Sequence, residues 1–381
     1  MTGPTEVDVV YVHAPFCSRR CVYCDFAVQV RREGDAAEWV RSLAGELAIL
    51  EQEHVFTLAP ALRTLYVGGG TPSLLGPTAM ARLADVVGRD RLTSPELEWT
   101  AEANPESLTP DVADAWAAEG VNRLSIGVQS FDDGALRWMG RLHGSAGAAT
   151  AVGVARAAGI TNLSVDLIFG LPRSSGRSWA DDLQRALALD VPHISLYGLT
   201  VEAGTALGRA VREGREQPVD DRQYREEFLH ASEVLTGAGY DQYEVSNFAR
   251  PGARSRHNGA YWTGEPYLGI GNGAHSFAPP IRRWNVRSWD DYAAACAEGR
   301  SPEAEREVLD AEAEALEGIW LGLRTDGGVS VPRQGSPGDR VTTRWVEKGW
   351  ATRRDDRVVL TSAGWLLLDE LAVELDTAVS A

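Results

Sequence analysis

The chain has 381 residues, 44% of them hydrophobic and 24% charged, and a formal net charge of −17. This composition is typical of a globular protein and excludes a disordered one. An acidic chain is also a poor general binder of nucleic acid, because contacts to phosphate need clustered cations. No apolar run reaches the roughly 18 residues of a transmembrane helix, and the first residues lack the features of a signal peptide. We therefore expect a cytoplasmic protein with no transmembrane segment, for which any membrane contact would be peripheral.

The first two thirds of the chain alternate apolar, β-branched runs with amphipathic stretches. The predicted strands are Val7–Val12, Thr64–Val67, Leu97–Ala101, Arg123–Val128, Leu163–Phe169 and His193–Leu199. The predicted helices include Ala36–Glu53, Thr78–Val87, Pro110–Glu119, Ala146–Ala158 and Trp179–Leu189. Continuous apolar strands separated by helices are typical of a parallel sheet with right-handed crossovers. Since six such units are fewer than the eight of a closed barrel, the pattern predicts an α/β fold, a partial (β/α)6 barrel.

The last third of the chain follows a different pattern. A stretch rich in Gly, Asn and aromatic residues, 240–280, precedes a predicted helix at Trp289–Glu298 and an acidic one at Pro302–Leu323. The remaining predicted elements are a helix at Arg340–Lys348, two strands within Trp350–Leu360, and a helix at Ser362–Leu375 with Thr361 or Ser362 as its N-cap. This order resembles a small winged-helix-like α+β domain. We predict a barrel at 1–245, a barrel-closing segment at 246–300 and the C-terminal domain at 301–381.

Three of the four cysteines, Cys17, Cys21 and Cys24, lie within eight residues, directly after the first predicted strand. Sites in parallel α/β folds form at the carboxyl ends of strands. Clustered thiols in a reducing compartment indicate a metal site and not a disulfide. Structural zinc is one alternative, but its fourth ligand could only be His13, because no second cysteine pair exists. A [4Fe–4S] cluster held by three thiolates, with one iron left open, fits better. Cys296 lies in an alanine-rich stretch and is expected to be an inert buried thiol.

The C-x3-C-x2-C spacing after the first strand resembles that of the radical S-adenosylmethionine (SAM) superfamily. Five motifs at successive strand ends, spread through a resemblance that covers residues 7–375, are similar to the oxygen-independent coproporphyrinogen III oxidase group. They are Tyr11-Val-His-Ala-Pro-Phe-Cys17, Gly68-Gly-Gly-Thr-Pro-Ser73, Glu102-Ala-Asn-Pro105, Gly127-Val-Gln-Ser-Phe131 and Asp166-Leu-Ile-Phe-Gly-Leu-Pro172. The resemblance implies a [4Fe–4S] cluster on the three clustered cysteines, and SAM as a cofactor. The SAM-binding residues that it implies are Tyr11, Tyr23, Gly69, Gly70, Thr71, Glu102, Gln129, Arg141, Asp166 and His275.

The residue types of this set suit the parts of SAM. Glycines at 69 and 70 allow close approach of the backbone to a ligand, although a glycine triplet alone is as typical of a plain turn. Arg141 can clamp a carboxylate in a bidentate manner. Glu102 and Asp166 can accept hydrogen bonds from ribose hydroxyls or an ammonium group, and the tyrosines can pack on adenine. No catalytic residue is predicted.

Two departures separate the chain from the oxidases. The oxidases carry a further cysteine two residues after the third, where this chain has Phe26, and they have a longer segment before the first strand. Both features match the heme chaperones that resemble these oxidases. We therefore predict a heme chaperone of porphyrin and heme metabolism, with heme as its cargo and heme-acceptor proteins as its partners. The alternative is an oxygen-independent coproporphyrinogen III oxidase, which decarboxylates propionates oxidatively through radical SAM chemistry.

Two features of the segment 246–300 are consistent with heme binding. The sequence His257-Asn258-Gly-Ala-Tyr261-Trp262 matches the H-N-x-x-Y-W motif of these chaperones, and histidine is a common axial ligand of heme. The alternative is a histidine hydrogen-bonded inside the fold. Residues 250–287 also contain six arginines and one acid, so their charge is +5. Arginines among aromatics suit a porphyrin with propionates, or are scattered surface residues.

Overall fold

The computed structural model describes residues 4–31 and 34–380. Its strands are β1 Thr5–Val7, β2 Val9–Ala14, β3 Phe16–Cys17, β4 Gln29–Val30, β5 Phe56–Leu58, β6 Thr64–Gly69, β7 Glu98–Ala103, β8 Arg123–Gln129, β9 Asn162–Phe169, β10 His193–Gly198, β11 Asp241–Gln242, β12 Asn247–Ala249, β13 Leu268–Ile270, β14 His275–Ala278, β15 Ile281–Asn285, β16 Glu303–Val308, β17 Val329–Ser330, β18 Ala351–Arg354 and β19 Arg357–Leu360. Its α-helices are α1 Ala36–Glu53, α2 Ala79–Val87, α3 Pro110–Glu119, α4 Asp133–Met139, α5 Gly147–Ala157, α6 Trp179–Ala188, α7 Ala206–Arg212, α8 Asp221–Gly237, α9 Arg256–Trp262, α10 Trp289–Ala297, α11 Ala311–Arg324, α12 Pro337–Glu347, α13 Ser362–Trp365 and α14 Leu368–Ser380.

A nine-stranded sheet forms the centre of the molecule, in the order β11-β12-β10-β9-β8-β7-β6-β2-β13. The six strands β2 and β6 to β10 run parallel, and helices connect each of them to the next. Because β11 and β13 are the two edges, the barrel is open. The predicted fold class, a partial (β/α)6 barrel, is confirmed. Each of the six predicted barrel strands agrees with the observed one to within two residues.

The barrel elements follow directly from local sequence. Strand β8 is buried at six of its seven positions, so both of its faces are covered. Leu124, Ile126 and Val128 lie on one face, and Arg123, Ser125 and Gly127 lie on the other. The helices between the strands begin at side-chain caps. The Thr109 side chain accepts a hydrogen bond from the Val112 N–H, with Pro110 in the first turn, and Ser178 caps α6 in the same way.

One buried carboxyl group ties the barrel-closing segment to helix α1. Glu46 accepts hydrogen bonds from the Gly271 N–H (2.8 Å), Asn285 Nδ2 (2.6 Å) and the Tyr292 hydroxyl (2.6 Å). Burial raises the pKa of Glu46, an effect that these hydrogen bonds oppose. Strand β13 adds to the free edge of β2 in parallel. Together these contacts place β14, which begins at His275, beside the carboxyl ends of the barrel strands.

The acidic helix predicted at Pro302–Leu323 is wrong in its first half. Glu303–Val308 is strand β16, which pairs antiparallel with β15. Acidic residues at positions 303, 305 and 307 share one face of a strand, an alternation that is typical of a strand and not of a helix. Helix α11 begins only at Ala311, where the Asp310 side chain caps it by accepting from the Ala313 N–H.

The C-terminal domain packs α11, α12 and α14 around the small sheet β17-β19-β18. The predicted helix, two strands and helix are present, although a break at residues 366–367 divides the last helix into α13 and α14. Thr361, and not Ser362, is the N-cap. The Ser362 hydroxyl instead hydrogen-bonds to the Ser232 hydroxyl on α8 (2.7 Å), which links the domain to the barrel. Within the described ranges, no helix has both the length and the apolarity to cross a bilayer.

Candidate functional site

A cavity of about 1340 Å³ opens at the carboxyl ends of the barrel strands. All three clustered cysteines line it, and so do all ten residues predicted to bind SAM. Of the four residues predicted to bind heme, Tyr261 and Trp262 line it, whereas His257 and Asn258 do not. The cavity then continues past the barrel to the C-terminal domain.

The three clustered cysteines are free thiols at one wall of the cavity. Cys17 ends β3, and Cys21 and Cys24 lie in the loop that follows, where the Cys24 N–H donates to the Cys21 carbonyl. The Thr71 hydroxyl donates to Cys17 Sγ (3.4 Å), and Arg141 Nη1 donates to Cys21 Sγ (3.8 Å). Donors directed at sulfur are among the groups that tune iron–sulfur clusters.

The environment of Cys17 and Cys24 disfavours the thiolate form unless a cation is bound. Burial raises the pKa of Cys17 to about 11 and also raises the pKa of Cys24. A metal ion reverses this balance, because a coordinating thiol is deprotonated outright. In the described part of the chain, no three His, Cys, Asp or Glu side chains converge on a position for one metal ion. A cluster does not require such convergence, because each thiolate binds a different iron. The three residues therefore fit a [4Fe–4S] cluster.

Arg141 lies beside the cysteines and keeps part of its guanidinium available. Its Nη2 donates to Asn104 Oδ1 and to the Gly127 carbonyl, both at 2.6 Å. Its Nε is buried and has no hydrogen-bond partner among the described residues. A buried, unpartnered donor of this kind fits a ligand with a carboxylate. Asn104 also donates to the Thr71 hydroxyl (3.1 Å), so it orients both Thr71 and Arg141. Asn104 belongs to the motif Glu102-Ala-Asn-Pro105, but the sequence predicted no role for it.

Two carboxyl groups line the inner part of the cavity. Glu102 accepts hydrogen bonds from the Tyr66 hydroxyl (2.8 Å) and the Gly69 N–H (3.0 Å). Asp166 accepts from the Ser125 hydroxyl at 2.9 Å. Burial raises the pKa of Glu102 to about 7, with a smaller contribution from Asp166, whose own pKa burial also raises. Both are poised to accept hydrogen bonds from a ligand.

The raised pKa of Glu102 predicts a stability change with pH. The pKa of Glu102 is near 4.5 in the unfolded chain and about 7 in the folded one. The free energy of unfolding should therefore fall by about 3 kcal/mol as pH rises from 4.5 to 7. We expect Glu102→Gln to flatten this decline, measured by urea unfolding from pH 5 to pH 8 without SAM. Glu96→Gln, at an exposed site before the same strand, controls for the loss of one carboxyl group. An unchanged slope in Glu102→Gln would contradict the prediction.

The glycine triplet is required by packing within the protein. A Cβ at Gly69, where φ is +105°, would lie 2.3 Å from the His13 ring, and one at Gly70 would lie 2.7 Å from the Ala14 carbonyl. A Cβ at Gly68 would meet the Glu102 carboxyl group at 2.9 Å. Close packing against β2 and Glu102 therefore requires these glycines whether or not a ligand is bound. Gly69 and Gly70 also line the cavity, and their predicted contact with SAM stays a prediction.

The remaining predicted SAM residues lie around this centre. Gln129 follows a β-bulge in β8 and has a φ of +66°, a strained conformation for a residue with a side chain. The Tyr11 hydroxyl hydrogen-bonds to His13 Nδ1 (3.0 Å), so its ring is fixed. Burial raises the pKa of Tyr11 and of Tyr23, and both stay protonated. The His275 ring stacks on Trp284.

His257 is buried beneath the cavity wall with both ring nitrogens engaged. Its Nδ1 lies 2.8 Å from the Thr64 hydroxyl, and its Nε2 lies 2.8 Å from the Tyr261 hydroxyl. Its ring stacks on Tyr66, and burial lowers its pKa to about 3, so it stays neutral. In this arrangement neither nitrogen is available to iron. The alternative interpretation, a hydrogen-bonded histidine of the fold, describes this environment better than the predicted heme ligand.

We expect His257→Ala to lower the free energy of unfolding by about 3 kcal/mol. The two buried hydroxyls that it bonds would lose a partner, at about 1–3 kcal/mol each. Urea unfolding measures the change, and His230→Ala, at an exposed position of α8, is the control. Unchanged stability together with loss of heme binding would instead make His257 a ligand.

The arginine-rich segment 250–287 is compensated by acids from elsewhere in the chain. The pairs are Arg250–Asp190, Arg254–Asp326, Arg256–Glu98, Arg282–Glu307, Arg282–Glu317, Arg283–Glu53, Arg283–Glu303 and Arg287–Asp25. The local charge of +5 therefore does not form an unpaired cationic patch. Of the six arginines, only Arg282 and Arg287 line the cavity.

Helices α11 and α14 form a further part of the cavity wall, which no predicted site residue indicated. Trp320 donates through Nε1 to Asp369 Oδ1 (2.7 Å), and both residues line the cavity. The Arg324 guanidinium lies over the Trp262 ring at 4.2 Å and thus joins α11 to α9. Apolar residues at helical spacing in α11 could have indicated this wall. Because β16 was predicted as part of the same helix, the start of the apolar face was not recognised.

This open (β/α)6 barrel, with three free thiols and a buried arginine at its mouth, is the architecture of a radical SAM protein. Residues 11–186 match the family model of the radical SAM superfamily. The chain is 38% identical to the heme chaperone HemW of Mycobacterium tuberculosis, over 94% of this chain and 92% of the relative. It is 34% identical to HemW of Bacillus subtilis, over 95% of this chain and 97% of the relative. The chain belongs to the HemW family of the radical SAM superfamily.

A solved structure shows the same fold over nearly the whole chain. The radical SAM enzyme HemN of Escherichia coli, a coproporphyrinogen III oxidase, is similar with a TM-score of 0.79. The similarity covers 98% of this chain and 91% of HemN, at 22% sequence identity. At that identity the likeness establishes the architecture, including the C-terminal domain.

Proposed function

We propose that this protein is a heme chaperone, which binds heme next to a SAM-binding [4Fe–4S] site and transfers the heme to acceptor proteins. The identity of 34–38% to HemW proteins, along almost the whole of each chain, carries this conclusion. The cavity supports it further, since its volume of about 1340 Å³ exceeds that of common ligand pockets.

Cys17, Cys21 and Cys24 would hold the cluster, and Arg141 would bind the SAM carboxylate through its unpartnered Nε. A [4Fe–4S] cluster with an open iron supplies a binding site for the amino and carboxylate groups of SAM, and one-electron chemistry. Glu102 and Asp166 accept hydrogen bonds from the rest of the ligand. Thr71 and Asn104 orient the arginine and a cysteine.

The size and lining of the cavity favour a second, larger ligand. Ligand pockets commonly measure about 300–1,000 Å³, and this one exceeds that range. Its barrel end is polar and its far end is bounded by Trp262, Tyr267 and the apolar face of α11. A macrocycle with an apolar body and carboxylate edges suits such a wall.

The alternative function is that of an oxygen-independent coproporphyrinogen III oxidase, the activity of the similar HemN structure. Phe26 argues against it. Its side chain lines the cavity beside the cysteines, at the position where the oxidases carry a further thiol, and 62% of its surface is exposed.

The partners follow from the same proposal. Heme or a related porphyrin is the ligand, and heme-acceptor proteins receive it in the cytoplasm, where any membrane contact is peripheral. A chain of net charge −17 whose arginine-rich segment is compensated is not expected to bind nucleic acid.

The test uses the whole protein, purified and reconstituted without oxygen. Heme titration should give a stoichiometric complex with a distinct Soret band, and the loaded protein should pass heme to an apo-heme protein. Incubation with coproporphyrinogen III, SAM and a reductant should leave the porphyrinogen unchanged. A protein that binds no heme, or that forms protoporphyrinogen, would overturn the proposal.

A further inference from the structure

The far wall of the cavity is an apolar helix face that the fold leaves uncovered. Ala313, Leu316, Trp320 and Leu321 line the cavity from one face of α11, at i, i+3, i+7 and i+8. Leu323 is the buried residue of this helix, so these four side chains remain partly accessible. Helix α14 extends the face with Ala372 and Val373, and 55% of the Val373 surface is exposed. A wall of this kind suits the flat, apolar face of a ligand.

Opposite this wall, β14 and β15 present one face of a hairpin. His275 pairs in register with Trp284, and Phe277 pairs with Arg282. The two rings of the first pair stack, with centroids 5.4 Å apart and planes inclined by 22°. Arg282 lies over the Phe277 ring and also bonds Glu317 of α11, which connects the two walls. His275 thus lies beside the region bounded by the apolar face.

His275 differs from the other histidines of the chain. There are seven, and in four of them each ring nitrogen has a hydrogen-bond partner: His13, His143, His193 and His257. His54 and His230 are exposed and do not line the cavity. His275 lines the cavity, is exposed to it, and accepts or donates no side-chain hydrogen bond within 4–31 and 34–380. Partial burial lowers its pKa, which favours the neutral ring that binds metal.

The other residue types that ligate heme iron are less available. Heme takes His, Met, Cys or Tyr as axial ligands. Met80, Met139 and Cys296 are buried elsewhere and do not line the cavity. The clustered cysteines are assigned to iron–sulfur. Five tyrosines line the cavity, and the hydroxyl of one of them, Tyr261, is bonded to His257. Burial raises the pKa of the other four, which disfavours the tyrosinate that would bind iron: Tyr11, Tyr23, Tyr197 and Tyr267.

We propose that His275 is an axial ligand of the heme iron, and that the macrocycle lies between the β14–β15 face and the apolar face of α11. This inference rests on the proposed function, since it names the site at which the cargo binds. It moves His275 from the predicted SAM contacts to the heme. The ring nitrogen donates its lone pair to iron, and Trp284 fixes the plane of the ring by stacking.

The test compares wild-type protein with His275→Ala, both with the cluster reconstituted. Changes near a metal ligand cost about 10–100-fold in metal affinity, so loss of the ligand itself should weaken heme binding at least about tenfold. The Soret band of the residual ferric complex should shift, and added imidazole should restore the wild-type spectrum. Iron–sulfur content and SAM binding should be unchanged. His230→Ala is the matched control and should bind heme as the wild type does.

The outcomes separate this inference from the proposed function. If wild-type protein binds no heme, the proposed function fails. If the wild type binds heme and His275→Ala gives the same affinity and spectrum, His275 is not the ligand while the proposed function stands. Loss of SAM binding with heme binding intact would return His275 to the SAM site. Leu316→Asp, which places a charge on the apolar face, should weaken heme binding without shifting the Soret band, and normal binding by it would refute the position of the macrocycle.

Discussion

Replacement of Cys17, Cys21 or Cys24 with Ala is expected to remove the iron–sulfur cluster almost completely. The three thiols are the cysteines that line the cavity, and a cluster with only three protein ligands cannot lose one and remain anchored. Iron and acid-labile sulfide, measured after anaerobic reconstitution, should fall from full occupancy to background in each variant. SAM binding should fall with them.

Cys296→Ala is the control for this experiment. Cys296 lies on α10, buried against Gly45 of α1, and burial raises the pKa of its thiol to about 12. Its loss should leave iron content unchanged at a small cost in stability. Full cluster content in a variant that lacks one of the three clustered thiols would contradict the assignment, and so would its loss in Cys296→Ala.

Arg283→Glu is expected to destabilise the protein by more than about 3–5 kcal/mol, because it breaks a buried ion pair and adds a third acid. The Arg283 side chain is only 4% exposed and pairs with Glu53 of α1 (3.0 Å) and Glu303 of β16 (3.1 Å). Denaturant unfolding should show the loss. Arg300→Glu, at a pair whose arginine is 62% exposed, should cost less than about 1 kcal/mol.

The stability of Arg283→Glu must be measured before its heme affinity is interpreted. Charge reversal at Arg283 would lower heme affinity through unfolding, whatever the ligand does. An Arg283→Glu variant as stable as Arg300→Glu would refute the structural role and would reopen Arg283 as a partner of propionates.

Local sequence was enough to predict the barrel and the polar end of its site. Apolar runs such as Val9–Val12 have no amphipathic alternation, so they predict strands buried on both faces. The carboxyl ends of parallel strands meet at one edge, so the loop with the cysteines and the residues after β6 and β7 are expected to share a site. The individual residues Thr71, Glu102 and Arg141 were implied by the resemblance to a known family. All of them line the cavity.

Residues whose partners are distant in sequence were harder to assign. His257 lies in a sequence that matches a heme-binding motif. Its Nδ1, however, is hydrogen-bonded to Thr64, which is 193 residues away in the chain. Strand β16 was assigned to a helix because its partner β15 determines its conformation. The apolar face of α11 lines a cavity only because the β14–β15 hairpin lies opposite it.

Strand periodicity predicted the fold class and local spacing the cysteine cluster, whereas the residues around the cysteines were predicted from the resemblance to a known family. Only the folded structure shows which charged side chains are unpaired and which histidine has a ring nitrogen free to bind iron. The charge of +5 in the segment 250–287 is compensated by acids from other elements, and burial engages both nitrogens of His257 while leaving His275 open to the cavity. The physical reason is that compensation of charge and satisfaction of hydrogen bonds depend on distances in space, which separation along the chain does not fix.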